Sequence, residues 1–153
     1  MREEQMPKDA IFLTIRPKYA QKILDGTKTV ELRRIYPKRI DKDVLVLLYV
    51  SSPVKSLVGA FRVESVVEAP LNKLWGFVKY SAGITRNEFF EYYKNVNRGV
   101  GIFIKDVWRF PEPIALYTLQ AHYDFLPPQS FRYAKSAELL SPHIAKSIKH
   151  ISL

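Results

Sequence analysis

The chain has 153 residues, 47% of them hydrophobic and 13% aromatic, which supplies one core of ordinary size and leaves no room for a second independent domain. It has no cysteine, which excludes disulfides, thiolate nucleophiles and cysteine-based zinc or iron-sulfur sites and agrees with a cytoplasmic location. The formal charge of +9 favours an anionic partner.

The polar opening MREEQMPKDA does not read as a signal peptide. Ile11 to Ile15 (IFLTI) reads as a first strand, and Pro17 then presets the first helical position of PKYAQKILDG. Tyr19, Ala20, Ile23 and Leu24 share one face of that helix. Gly26 follows as a left-handed C-cap, and the chain re-emerges as a strand from Thr29 to Arg34. After a charged loop from Tyr36-Pro37 to Asp43, the run VLVLLYV (Val44 to Val50) has the length and β-branched composition of a central strand. It is the longest apolar run, far short of the roughly 20 residues that span a bilayer, so no membrane partner is expected.

Leu57 to Glu68 alternates Phe61 and Val63 with Arg62 and Glu64, the pattern of a strand with one wet face, and Gly59 within it predicts a bulge or bend. Leu71, Leu74, Trp75 and Val78 recur at helical spacing; Thr85 and Glu88 make a capping box flanked by Ile84 and Phe89 as a hydrophobic staple. Val100 to Phe110 reads as a strand broken by Pro111 and Pro113, with Ile114 to Leu119 as a last strand. Ser141-Pro142 begins a C-terminal helix carrying Ile144, Ala145 and Ile148. The helices are too irregularly placed for a doubly wound sheet. The expected class is α+β: a small, mostly antiparallel barrel with inserted short helices over 10–133, and a basic helical extension over 134–153 that packs on or flanks it. His122, His143 and His150 include no HExxH pairing, so neither a metal nor a cofactor is expected.

Between Arg16 and Lys42 stand nine basic residues (Arg16, Lys18, Lys22, Lys28, Arg33, Arg34, Lys38, Arg39, Lys42) against three acidic ones (Asp25, Glu31, Asp41). Strand alternation puts Thr29, Glu31 and Arg33 on one face and Val30 and Leu32 on the other. Lys28 has the parity of the core face, so it joins Glu31 and Arg33 only from the turn before regular pleating begins. A glutamate flanked by Lys28, Arg33 and Arg34 stays ionised and holds those cations, leaving Arg33 to present a planar donor fork to a phosphate or carbonyl oxygen. On spacing alone the alternative is a plain cross-strand salt-bridge ladder on a wet sheet face.

The segment GTKTVELRR resembles the GxKxxExR signature of the ASCH family, a PUA-like fold, through Gly26, Lys28, Glu31 and Arg33. FLTIRPKYAQKILDGTKTVELRR, LLYVSSPVKSLVGAFRV, GITRNEFFEYY and PPQSFRY resemble, in order, further segments of that family, covering most of residues 10 to 133. The resemblance implies a β-barrel with a cleft beside the first helix, holding RNA, a nucleotide or a modified nucleoside against Lys28, Glu31 and Arg33. Tyr49, Ser51, Ser52, Gln129 and Ser130 are candidates for the cleft wall, with strand termination and turn chemistry as their other reading. Arg16 and Arg132 are candidates for phosphate contacts, with Arg34 beside the signature, and Tyr36 or Phe131 for stacking on a base.

The resemblance leaves two kinds of activity open. One is an RNA- or nucleotide-binding module, regulatory in role; the ten or so residues before the first strand do not accommodate a helix-turn-helix domain. The other is hydrolysis, of N4-acetylcytidine or of RNA, with Lys28 and Glu31 as catalytic groups. In the amidohydrolase branch the signature lysine is joined by a threonine three residues on and by a carboxylate from the loop before a later helix. Here Glu31 and Ser81-Ala82-Gly83 stand in those places, and Glu88 has a capping role. A neighbouring carboxylate raises a lysine's pKa, which favours binding over covalent chemistry.

Overall fold

The computed structural model describes residues 10–37 and 40–151. Strands β1 (Ala10–Ile15), β2 (Val30–Arg33), β3 (Leu45–Val50), β4 (Ser56–Pro70), β5 (Arg98–Ala115) and β6 (Phe131–Tyr133) form one curled, half-barrel sheet in the order β2-β5-β4-β3-β1-β6. Only the pairing of β1 with β3 is parallel. A parallel pair needs a long crossover, and here it contains α1 (Pro17–Leu24) and β2. The remaining helices are α2 (Leu71–Val78), α3 (Arg86–Tyr92), α4 (Leu116–His122), α5 (Ser136–Leu140) and α6 (Pro142–Ile148). The architecture is thus the mixed, mostly antiparallel α+β class that the sequence pattern implies.

Alternation along β1 and β3 divides the core. Ala10, Phe12, Leu45, Leu47 and Tyr49 turn to the face covered by Leu119, Phe125, Leu139, Ile144 and Ile148. Ile11, Leu13, Ile15, Val46, Leu48 and Val50 turn to the face covered by Ala20 and Ile23 of α1. Val30 and Leu32 of β2 pack with Leu74, Val78, Phe89 and Tyr93 from α2 and the α3 end. Local signals place the helix ends. Gly26 takes φ +84° after α1 and donates its N–H to the Ile23 carbonyl at 3.2 Å. At α3 the Glu88 N–H donates to the Thr85 hydroxyl at 3.1 Å, and the Thr85 N–H to the Glu88 carboxylate at 2.9 Å, completing the expected capping box.

Pro111 and Pro113 do not break the last long strand. The pairing of β5 with β4 jumps from Gly59↔Arg109 to Leu57↔Ile114, so the prolines sit in an excursion where no ladder N–H is called for. The bulge expected at Gly59 is present in the same register shift. Of the stretch expected as a last strand, Ile114 and Ala115 do pair with β4 as the end of β5, and Leu116 to Leu119 are instead the start of α4, whose inward residue is Leu119. The final strand is β6, which lies antiparallel to β1 and comes from a segment for which the sequence predicts no strand.

Candidate functional site

β2 is one edge of the sheet and β6, beside β1, is the other. The curl brings the two edges together at a seam, and the side chain of Arg33 crosses it. Its Nη2 donates to the Thr14 carbonyl of β1 at 2.7 Å and to Glu31 Oε2 at 3.1 Å, and its Nη1 lies 3.5 Å from Ser130 Oγ just before β6. A planar guanidinium serves three partners in this way where a point ammonium cannot.

Lys28 enters from the turn before β2. The loop ahead of α3 offers three successive carbonyls to it and its neighbours. Ser81 accepts from the Thr29 N–H at 2.8 Å, Ala82 from Lys28 Nζ at 2.6 Å, and Gly83 from Lys22 Nζ at 2.7 Å. Lys28 Nζ also lies 3.6 Å from Glu31 Oε1 and 5.3 Å from the centroid of the Tyr19 ring. Glu31 is held between two cations, with Oε1 taking a further bond from the Leu32 N–H at 3.1 Å. Lys28 is 2% exposed and Glu31 5%, with Arg33 partly buried beside them, so this is a largely buried triad and not a ladder on a wet face. Burial pushes the Lys28 ammonium below the usual lysine range and outweighs the opposing pull of Glu31. Glu31 does pull the pKa upward, as expected from the sequence, but desolvation of the ammonium dominates and the net shift is downward.

Above the triad opens a cleft of about 380 Å³, at the small end of the roughly 300–1,000 Å³ typical of small-molecule sites. Of the residues anticipated from the sequence, Arg16, Lys28, Glu31, Arg33, Ser51 and Gln129 line it. Ser130 stands behind Arg33. Like Ser130, four others do not line it. Tyr49 turns, by alternation along β3, to the opposite face against Phe125, 6.0 Å between ring centroids. Ser52 is exposed in the turn after β3. Arg34 is exposed and donates to the Lys94 carbonyl at 2.6 Å. Arg132 forks onto Glu138 at 2.7 and 2.8 Å and anchors α5. Lys38 and Arg39 of the basic stretch lie outside the described residues.

The sequence reading missed Thr14, Tyr19, Ile84 and Tyr92 and gave Glu88 a cap alone; all five line the cleft. Glu88 both caps α3 and pairs with Lys18 at 3.5 Å. The aromatic rings at the cleft are Tyr19 and Tyr92, whereas Tyr36 and Phe131 pack against the core. Tyr92 donates to the Leu32 carbonyl at 3.3 Å and stacks edge-on with Tyr93, whose hydroxyl is 3.1 Å from the Arg33 carbonyl. A signal for Tyr19 was available in its place on the first helix, one turn after Arg16; Tyr92 had none beyond its doublet with Tyr93. Among the described residues no group of three or more His, Asp or Glu is placed to hold a metal ion. No helix of the described residues is long and apolar enough to cross a membrane.

A family profile described as the ASCH domain matches residues 13–121. An ASCH domain-containing ribonuclease of Zymomonas mobilis is 28% identical over 132 residues, covering 86% of this chain and 87% of the relative. A large ribosomal subunit protein uL22 of Ureaplasma parvum is 28% identical over 136 residues, and the chain spans only 42% of its length. The crystal structure of a mutant ZmASCH protein from Zymomonas mobilis superposes with a TM-score of 0.79 at 26% identity, covering 87% of this chain and 94% of that one.

Proposed function

Because the chain belongs to the ASCH domain family, we propose that it acts on RNA, taking one nucleotide at a time into the cleft over Lys28, Glu31 and Arg33. The observation that carries this reading is the largely buried triad at the floor of a nucleotide-sized cleft. Two cations flank one carboxylate there, so the floor keeps net positive charge away from bulk water, where attraction to a phosphate is strongest. Arg16 is exposed at the rim and suits a phosphate, Tyr19 and Tyr92 offer rings to a base, and Ser51 and Gln129 supply donors and acceptors to base edges. The Zymomonas relative, matched over most of both chains, is named a ribonuclease, which agrees with an RNA ligand.

A second reading, cleavage of that RNA, is favoured by the lowered pKa of Lys28. A lysine brought nearer to neutrality by burial can take the proton of a ribose 2′-hydroxyl as its oxygen bonds to the adjacent phosphorus, then return the proton to the departing 5′ oxygen. Glu31, with both oxygens engaged, positions Lys28 and Arg33. Deacetylation of N4-acetylcytidine has less support, since the loop that meets Lys28 presents only the backbone carbonyl of Ala82.

The test is a short single-stranded RNA, followed by fluorescence anisotropy for binding and by gel for cleavage. Affinity falls as salt rises, and Arg16→Ala, an exposed change, lowers it several-fold. Lys28→Met removes any cleavage and also weakens binding, since it leaves the floor without net positive charge. An RNA affinity indifferent both to salt and to Arg16→Ala would sink the proposal.

A further inference from the structure

A second concavity lies between the proline excursion of β5 and α6. Its volume is about 710 Å³, and its lining includes Glu112, Pro113, Tyr117, His143, Lys146 and Lys149. From Pro142 to Ile151 the chain carries Lys146 and Lys149 and no acidic residue. α6 buries Ile144 and Ile148 in the core, and the residues between and beside them, His143, Lys146 and Ser147, line the groove. Among the described residues the one carboxylate on its lining is Glu112. A merely solvated helix face mixes both signs on a convex surface. Here two lysines outnumber one carboxylate on a concave surface, and Tyr117, 78% exposed, stands on its wall. The His143 ring packs on that of His122, 5.0 Å between centroids and 28° from parallel, which fixes the α6 end of the wall.

The groove lies near the Ser51 rim of the cleft, whereas Glu31 and Arg33 of the cleft floor pair with Ile102 and Val100 toward the other end of β5. Ala115 on its lining pairs with Ser56, which pairs with Val50, the residue before Ser51 of the cleft. Two strand spacings, roughly 10 Å, separate Ala115 from Val50.

We propose that this groove is a second RNA-binding site, holding phosphates and one base of a strand that also enters the cleft. Lys146 and Lys149 neutralise phosphates, and Tyr117 offers a ring face to an unpaired base, the combination by which single-stranded nucleic acid is gripped without sequence readout. The family profile ends at residue 121, so α6 adds this grip from outside the matched segment. The inference rests on the RNA reading of the cleft.

The experiment compares a dinucleotide, which fills only the cleft, with a single-stranded 12-mer RNA, using anisotropy over a salt series on the full chain. The double variant Lys146→Ala with Lys149→Ala, both exposed, binds the 12-mer about tenfold more weakly at low salt. Its log–log salt slope is shallower by about 1.4, as expected when two single-strand phosphate contacts are lost. Dinucleotide affinity is unchanged, and arginine at both positions restores the 12-mer. Unchanged 12-mer affinity and slope in the double variant would overturn the inference. So would polyglutamate competing as well as RNA at equal charge, which would mark an acidic-protein site. If Arg16→Ala leaves dinucleotide binding intact while the double variant still loses the 12-mer, the cleft reading falls and the groove stands.

Discussion

Lys28 Nζ donates to the Ala82 carbonyl at 2.6 Å, 54 residues away in sequence, and this bond ties the entry of β2 to the loop ahead of α3. The flanking carbonyls of Ser81 and Gly83 accept from Thr29, Val30 and Lys22. An ammonium so enclosed keeps its hydrogen bonds and loses its water, which lowers its pKa beside a carboxylate.

Stability should therefore depend on pH through Lys28. Its folded pKa lies below the ordinary 10.5, so between the two values the unfolded chain binds more protons than the folded one. Stability then rises with pH across that window, by at most about 1.4 kcal/mol per pH unit for one proton. Lys28→Met removes this slope. Urea midpoints for both proteins at steps from pH 7 to 10.5 check it; parallel curves would contradict a buried, destabilised ammonium.

Arg33→Lys keeps the charge and loses the fork. Thr14, Glu31 and Ser130 can no longer be served together, and Glu31 is left half-paired in the interior. The expected cost is about 2–4 kcal/mol in denaturant unfolding, with RNA affinity falling as the seam opens. Glu31→Gln should cost at least as much, since it leaves the buried Lys28 ammonium and the Arg33 guanidinium without their counter-charge. Equal stability of the Arg33→Lys protein and the wild type would show that the seam does not depend on the guanidinium.

The C-terminal helices should detach in acid. Burial alone would raise the Glu138 carboxyl, but the bonds from Arg132 and the Lys135 N–H outweigh it and hold it below its ordinary 4.5. A depressed carboxylate contributes stability above 4.5 that is lost as pH falls through the folded value. Glu138→Gln should remove about 1–2 kcal/mol at neutral pH, reduced from a fully buried pair because Arg132 is partly exposed. Denaturation of both proteins at pH 7 and pH 3 measures it; the difference between them should shrink in acid.

Gly59→Ala tests the close approach at the bulge. An added Cβ would stand 2.4 Å from the Trp108 carbonyl oxygen and 2.9 Å from Leu24 Cδ2. The carbonyl belongs to the paired strand and cannot retreat cheaply, so the cost should be about 1–3 kcal/mol. Because Leu24 belongs to α1, which carries Tyr19, RNA affinity should fall as well. A melting temperature unchanged from the wild type would show that the sheet accommodates the methyl group.

Features set by neighbours in the chain were legible from residues alone. Pro17 and Gly26 bound α1, Thr85 and Glu88 cap α3, and Gly59 marks a bulge, each through a bond or a φ angle that a few residues decide. What depended on partners was not. Whether Pro111 and Pro113 end a strand turns on the register of β4, and whether Phe131 to Tyr133 forms a strand turns on the free edge of β1.

The same division runs through the site. The sequence by itself determined the signature Gly26, Lys28, Glu31, Arg33 and put Glu31 and Arg33 on one face, because alternation along a strand is a local rule. Only the tertiary structure decided that this face is closed from water, that Lys28 loses basicity beside a carboxylate, that Tyr49 points away while Tyr19 and Tyr92 point in, and that α6 walls a second basic groove. Desolvation depends on what packs around a charge, and that packing comes from segments dozens of residues apart, where no spacing rule reaches.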